Sequence, residues 1–227
     1  MGHPHANRLE SVCNSQLLPD KLTVKNNVFK HCQTCVLGKF AKLSFASSTS
    51  EVDAPFDLIH CDLWGPSPIL SRLRYKYFVL FIDHFTRFTW VYFLRAKSEL
   101  ANIAKNFVTM IETQFGKVIK IFRSDPGGEF CASELVQFFS DKGILTQQSC
   151  PGTPEQNGVV ERKNRHGLEI ARTLLLESSV PPQFWVEAIH TAVHFINMQT
   201  TPILRNQSLF FILFHKSRNY INLRVFG

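Results

Sequence analysis

The sequence predicts an α/β fold, a mixed five-stranded sheet with flanking helices, preceded by a small cysteine- and histidine-containing module. Three observations predict it. From Phe56 onward, short segments rich in β-branched and aromatic residues alternate with turn-like links. Longer segments with apolar residues at helical spacing follow them. The first 43 residues are instead polar and hold Cys32 and Cys35 in a CxxC pair. A chain of 227 residues is long enough for one domain with a real core plus such a module.

The run Ser44-Phe45-Ala46-Ser47-Ser48-Thr49-Ser50 has the composition of a connector, so a module is expected over 1–43, a linker over 44–55 and the main domain over 56–200, with a truncated extension over 201–227. Strands are expected at 56–63, 75–83 and 88–94, joined by links short enough for an antiparallel meander. Leu100, Ile103, Ala104, Phe107, Ile111 and Phe115 recur at helical spacing, with Ser98 as the expected N-cap and Gly116 as the stop. A strand at 118–123, a short helix at 133–142 closed by Gly143, a strand at 144–150 and two longer helices at 157–177 and 182–199 complete the expected elements. The order βββ-α-β-α-β-α-α is that of an RNase H-like fold.

Composition narrows the function. The apolar stretches fall far short of the roughly 18–20 residues that a membrane span needs, and the N-terminus lacks a secretory pattern, so a soluble protein in a reducing compartment, with no membrane partner and no disulfides, is expected. The net charge of +7 is uneven: residues 1–50 carry +4, 51–161 carry −2 and 162–227 carry +5. An acidic centre framed by basic flanks suits an enzyme that holds cations with carboxylates and grips a polyanion with Lys and Arg. Phosphate-loop, serine-elbow and zincin-helix motifs are absent from the sequence.

Asp62 and Asp125 fall at or near the ends of expected strands, and Glu161 falls about one turn into an expected helix. Rigidly presented carboxylates suit Mg²⁺ or Mn²⁺, and a pair of such ions promotes in-line displacement at phosphorus. Pattern alone leaves the choice of acids open, because Asp57, Asp83 and Glu129 sit nearby.

The surrounding residues carry a resemblance. His60-Cys61-Asp62-Leu63-Trp64-Gly65-Pro66, Arg123-Ser124-Asp125-Pro126-Gly127-Gly128-Glu129-Phe130 and the run from Thr153 to Asn164 through Asn157-Gly158-Val159-Val160-Glu161 resemble the core of copia-type retrotransposon integrases. Thirty-five residues separate Asp125 from Glu161, the spacing of a D,D(35)E site. The resemblance implies a DNA-integrating polynucleotidyl transferase with a two-metal site on Asp62, Asp125 and Glu161. It implies 3′-end processing and strand transfer, multimers assembled on DNA, and work in the nucleus after a cytoplasmic particle stage. Asp83 would then be structural. Gly152, Pro154 and Gly158 are expected to leave a mobile loop before the helix, with Asn157, Arg162, Lys163 and Arg165 as DNA contacts and Arg165 on the face of Glu161.

Cys32, Cys35 and the following Gly38-Lys39 resemble the second half of an HHCC zinc module, with His3 matching its second histidine. The first histidine would precede Met1, so an incomplete Zn²⁺ site is expected, with His5, Cys13 and His31 as alternative fourth ligands. Pro126 stands where that family usually has Asn. An alternative reading is therefore a catalytically decayed DNA-binding remnant, and another is a different RNase H-like nuclease or transposase.

Overall fold

The computed structural model describes residues 52–125, 128–148, 154–201, 204, 206–216 and 224–227, with side chains for the same residues except 128, 131 and 154–157. The chain divides into two compact units, 1–50 and 51–227, and the described residues all belong to the second. His3, His5, Cys13, His31, Cys32, Cys35, Pro126 and Cys150 lie outside the described residues, as does the expected zinc module.

Five strands form one sheet: β1 (Leu58–Trp64), β2 (Tyr77–Asp83), β3 (Thr89–Leu94), β4 (Ile121–Ser124) and β5 (Leu145–Gln148), in the order β3-β2-β1-β4-β5. β1, β2 and β3 are the expected antiparallel meander, while β4 and β5 join parallel to β1 and to each other. Helices α1 (Leu100–Phe115), α2 (Ser133–Asp141), α3 (Pro154–Glu177) and α4 (Trp185–Met198) connect and cover the strands. A short ribbon of β6 (Thr200–Thr201) and β7 (Gln207–Ser208) leads into α5 (Leu209–Phe214).

The period of two in β2 explains why helices cover both faces. Val79 and Phe81 join one core cluster with Phe107 and Ile111 of α1 and Phe139 of α2. Phe78, Leu80 and Ile82 join a second with Val160 and Ala171 of α3 and Trp185 and Ile189 of α4. Every residue of β2 from Phe78 to Asp83 is buried, which marks it as an interior strand. Phe81 and Phe107 stack with ring centroids 4.3 Å apart at the centre of the first cluster. The core also extends past residue 200, since Leu209 is 0% exposed and Leu213 packs beside it. Ser208 caps α5 by accepting from the Phe211 N–H at 3.1 Å.

Two local expectations need correcting. Ser98 does not cap α1: it lies within a 3₁₀ turn, Lys97–Glu99, and the capping position falls on Glu99, which makes no side-chain cap. The acid of Glu99 instead accepts from the Arg95 N–H. The helix bearing Glu161 begins at Pro154 rather than 157, because proline at the first helical position loses nothing by lacking an N–H. Gly158 is consequently inside α3, and Glu161 is two turns into it.

Candidate active site

Strand alternation decides which face each acid occupies. Cys61 points into the first core cluster, so Asp62 beside it faces α3. β4 pairs with β1 through His60↔Arg123 and Cys61↔Ser124, so one step further Asp125 follows on the strand neighbouring Asp62. α3 is fastened across this face by Asn164, whose Nδ2 donates to Asp62 Oδ2 at 2.7 Å. Asn164 is buried, and among the described residues its Oδ1 has no partner. The amide orientation is fixed by chemistry, since only the NH₂ end can meet a carboxylate.

Electrostatics tie the three acids together. Burial pushes the Asp62 carboxyl above the ordinary carboxylate range, the Asn164 hydrogen bond opposes that rise, and the charges of Asp125 and Glu161 reinforce it. Asp125 and Glu161 are exposed, whereas Asp62 is half-buried. Among the described residues no three His, Cys, Asp or Glu side chains stand close enough to form a ready metal cage. The donor chemistry nevertheless fits a hard divalent cation: three carboxylates on one surface, whose mutual repulsion a cation would relieve.

The competing acids have other employment. Asp83 is 0% exposed and accepts from the Phe56 N–H at 2.8 Å and from the Thr86 N–H and Oγ1 at 2.7 Å each, so it ties the start of β1 to the β2–β3 turn. Glu129 pairs with Lys97, and Asp57 pairs with Lys120 at 2.7 Å.

The expected DNA contacts separate onto two flanks of α3. At about 3.6 residues per turn, Glu161 and Arg165 share one flank, while Val159, Lys163 and His166 share the other and Arg162 lies between them on the solvent side. Arg165 is exposed and has Glu169 4.0 Å away. Lys163 is half-buried, and burial with the neighbouring Arg87 lowers its ammonium pKa to about 8. Asn157 lies in the helix backbone, and its side chain is not among those described.

Sequence reasoning assigned no role to several residues of this face, although His60 and Arg123 stand inside the motifs around Asp62 and Asp125. His60 Nε2 and His84 Nδ1 are 2.7 Å apart, and burial lowers their pKa values to about 3 and about 4, with Arg87 and Arg123 adding to the effect. Arg123 donates through Nε and Nη2 to Gln147 Oε1, linking β4 to β5. Asn164 likewise closes the motif around Glu161, three residues after it and therefore near the same helix face.

Residues 52–154 match the family model for the integrase core domain. The whole chain is 42% identical over 229 residues to the retrovirus-related Pol polyprotein from transposon RE1 of Arabidopsis thaliana, and 34% identical over 227 residues to that from transposon TNT 1-94 of Nicotiana tabacum. The chain belongs to the retrotransposon integrase family. It spans 15% and 17% of the lengths of those two Pol polyproteins and all of it aligns. The integrase chain also shares its fold with the HTLV-2 integrase catalytic core domain, solved in complex with magnesium, at TM-score 0.50 and 18% identity, covering 69% of this chain and 95% of that one. The BIV integrase catalytic core domain matches at TM-score 0.51 and 16% identity, covering 69% of this chain and 93% of that one. The five-stranded sheet with its helices is thus the RNase H-like fold of retroviral integrase cores.

Proposed function

We propose that this integrase chain catalyses 3′-end processing of element DNA and its transfer into target DNA, with Asp62, Asp125 and Glu161 as the catalytic carboxylates. The observation that carries the reading is the convergence of charge on Asp62, which feels both Asp125 and Glu161 although the three come from β1, the end of β4 and α3. The same three acids have D,D(35)E spacing.

In this reading the three carboxylates would hold Mg²⁺ or Mn²⁺, which would supply charge neutralisation at the reacting phosphate. The chain's own residues do the positioning. Asn164 holds the Asp62 carboxylate in one rotamer, and the rigid sheet fixes Asp62 relative to Asp125. Arg165 and Asn157 lie on the helix beside Glu161, where they would meet the backbone of the reacting DNA end, and Arg162 and Lys163 add positive charge nearby. Assembly as a homo-oligomer on DNA, a nuclear site of action after a cytoplasmic particle stage, and an incomplete zinc module around His3, Cys32 and Cys35 belong to the same proposal.

The test is strand transfer by residues 1–227 on a short duplex with recessed 3′ ends, in Mg²⁺ and in Mn²⁺. Product that disappears in Asp62→Asn and Glu161→Gln supports the reading. Salt-sensitive DNA binding that those substitutions leave unchanged, with no product from the unaltered chain, would overturn it in favour of a noncatalytic DNA-binding remnant.

A further inference from the structure

On the flank of α3 away from Glu161 lies a pocket of about 270 Å³, lined by Arg87, Val159, Arg162, Lys163, His166, Thr201 and Leu209. It brings together three separate pieces of chain: α3, the β2–β3 turn that carries Arg87, and the C-terminal segment with Thr201 and Leu209. Four of its seven lining residues are basic or imidazole side chains, and none is acidic. Among the described residues none of the four forms an ion pair, although ion pairs occupy Lys97, Lys105, Lys120, Lys142 and Arg165 elsewhere. The acid that acts on Arg87 is Asp83, but its two carboxylate oxygens are already engaged by Phe56 and Thr86.

Like charges gathered in a partly desolvated recess repel one another, so a site of this composition is stabilised when an anion enters. The geometry is built into the backbone. Arg87 occupies the left-handed region at φ 62, held there by the turn that Asp83 closes, where the Arg87 N–H donates to the Asp83 carbonyl at 2.9 Å. The guanidinium of Arg162 folds back along α3 over Gly158, where even an added Cβ would come within 3.3 Å of Nη1. Thr201 adds a hydroxyl beside these cations. Planar guanidinium forks, an ammonium and a hydroxyl are the donor set that a tetrahedral oxyanion requires.

We propose that this pocket is a phosphate-binding site, separate from the carboxylate trio, that takes a backbone phosphate of DNA. The phosphate chemistry stands on the pocket alone; the choice of DNA as its source rests on the integrase reading. Asp83 pairs with Ile59, three residues before Asp62 on β1, which places the turn roughly 10 Å along the strand from Asp62. A duplex presents a phosphate every ~3.4 Å of axis on each strand, so DNA held at the trio offers further phosphates over this range. Arg87 and His166 then act in the same DNA grip as Lys163 and Arg162.

The experiment uses residues 1–227 with Arg87→Gln, Lys163→Gln and His166→Gln, and with Lys117→Gln, an exposed cation outside the pocket, as the control. One arm measures fluorescence anisotropy of a labelled duplex against salt. The other measures melting temperature in potassium phosphate against potassium chloride at matched ionic strength. The expected result is a log–log salt slope shallower by up to about 0.9 in Arg87→Gln and in Lys163→Gln, weaker duplex binding in His166→Gln, and no change in Lys117→Gln. Phosphate at ~100 times its Kd should also raise the melting temperature of the unaltered chain by about 5–10 °C more than chloride does, and should do so less in the variants. A slope change without phosphate-specific stabilisation identifies the DNA backbone as the ligand, and stabilisation without a slope change identifies free phosphate. Variants that match the unaltered chain in both arms overturn the proposal. Loss of strand transfer in every form of the chain would sink the catalytic reading while leaving both of these readouts intact.

Discussion

Replacing Asn164 with Leu separates the chemistry of the site from the stability of the fold. The substitution removes the hydrogen bond to Asp62, and a bond to a charged group is worth about 1.5–3 kcal/mol. It also removes Asn164 Oδ1, a buried acceptor with no partner among the described residues, whose burial costs about 1–3 kcal/mol. The two effects nearly cancel in the folded state, since Leu fills a similar volume and water can reach the half-buried Asp62. A melting temperature within about 4 °C of the unaltered chain is expected. Catalysis has no such compensation. If Asp62 owes its placement to this bond, the same 1.5–3 kcal/mol appears as a roughly 10- to 150-fold slower strand transfer. The Asp62 carboxyl, already raised by burial, rises further without its amide donor, so the acid limb of the pH–rate profile moves to higher pH. The assays are thermal unfolding and strand transfer across pH. Retained activity together with a melting temperature lowered by more than about 10 °C would refute this account and make Asn164 a packing residue.

Other substitutions and conditions test the frame around the site. Asp83→Ala strands two buried N–H groups and a hydroxyl, at a cost of about 2–5 kcal/mol, and urea unfolding should show it as a lowered midpoint. Asn197→Leu breaks a paired contact in which Oδ1 accepts from the Thr89 N–H at 2.9 Å and Nδ2 donates to the Thr89 carbonyl at 2.7 Å. That contact pins α4 to β3, and its loss should cost about 2–4 kcal/mol and speed hydrogen exchange at Thr89. The depressed pKa values of His60 and His84 mean that the unfolded chain binds their protons first. Stability from this pair is therefore complete above about pH 6.5 and is lost as pH falls toward about 4 and then about 3, with a slope of up to about 1.4 kcal/mol per pH unit for each histidine. The raised carboxyls of Asp62 and Asp83 work in the opposite sense, so the test is a flatter acid limb in His84→Gln than in the unaltered chain. An unchanged limb would assign no role to the histidine pair.

Legibility in the sequence followed the range of the interactions. The meander was readable because β2 and β3 are short runs of β-branched and aromatic residues joined by short links, and α1 was readable because its apolar residues keep helical spacing over four turns. Ser98 failed as a cap because the chain first takes a 3₁₀ turn, a choice set by Glu99 reaching back to the Arg95 N–H. α3 began earlier than expected because glycine at 158 suggested a loop, yet Pro154 can start a helix and Arg162 lies over the space a side chain at 158 would fill. α5 gave only a run of apolar residues, whose destination in the core depends on packing against residues more than a hundred positions away. The three acids were singled out by motif, while the tasks of Asp83, Glu129 and Asp57 became distinguishable only through partners distant in sequence. Arg87 and His166 had no role assigned from the sequence, since their pocket exists only once the β2–β3 turn, α3 and the C-terminal segment meet.

Strand transfer by residues 1–227 with Asp62→Asn, Glu161→Gln and Glu129→Gln, beside the unaltered chain, tests the central claim most directly. The carboxylate trio predicts product from the unaltered chain and from Glu129→Gln, which loses only its pairing with Lys97, and none from Asp62→Asn or Glu161→Gln. Loss of product in Glu129→Gln with product retained in Glu161→Gln would contradict the assignment and move the catalytic acid to the other side of Asp125.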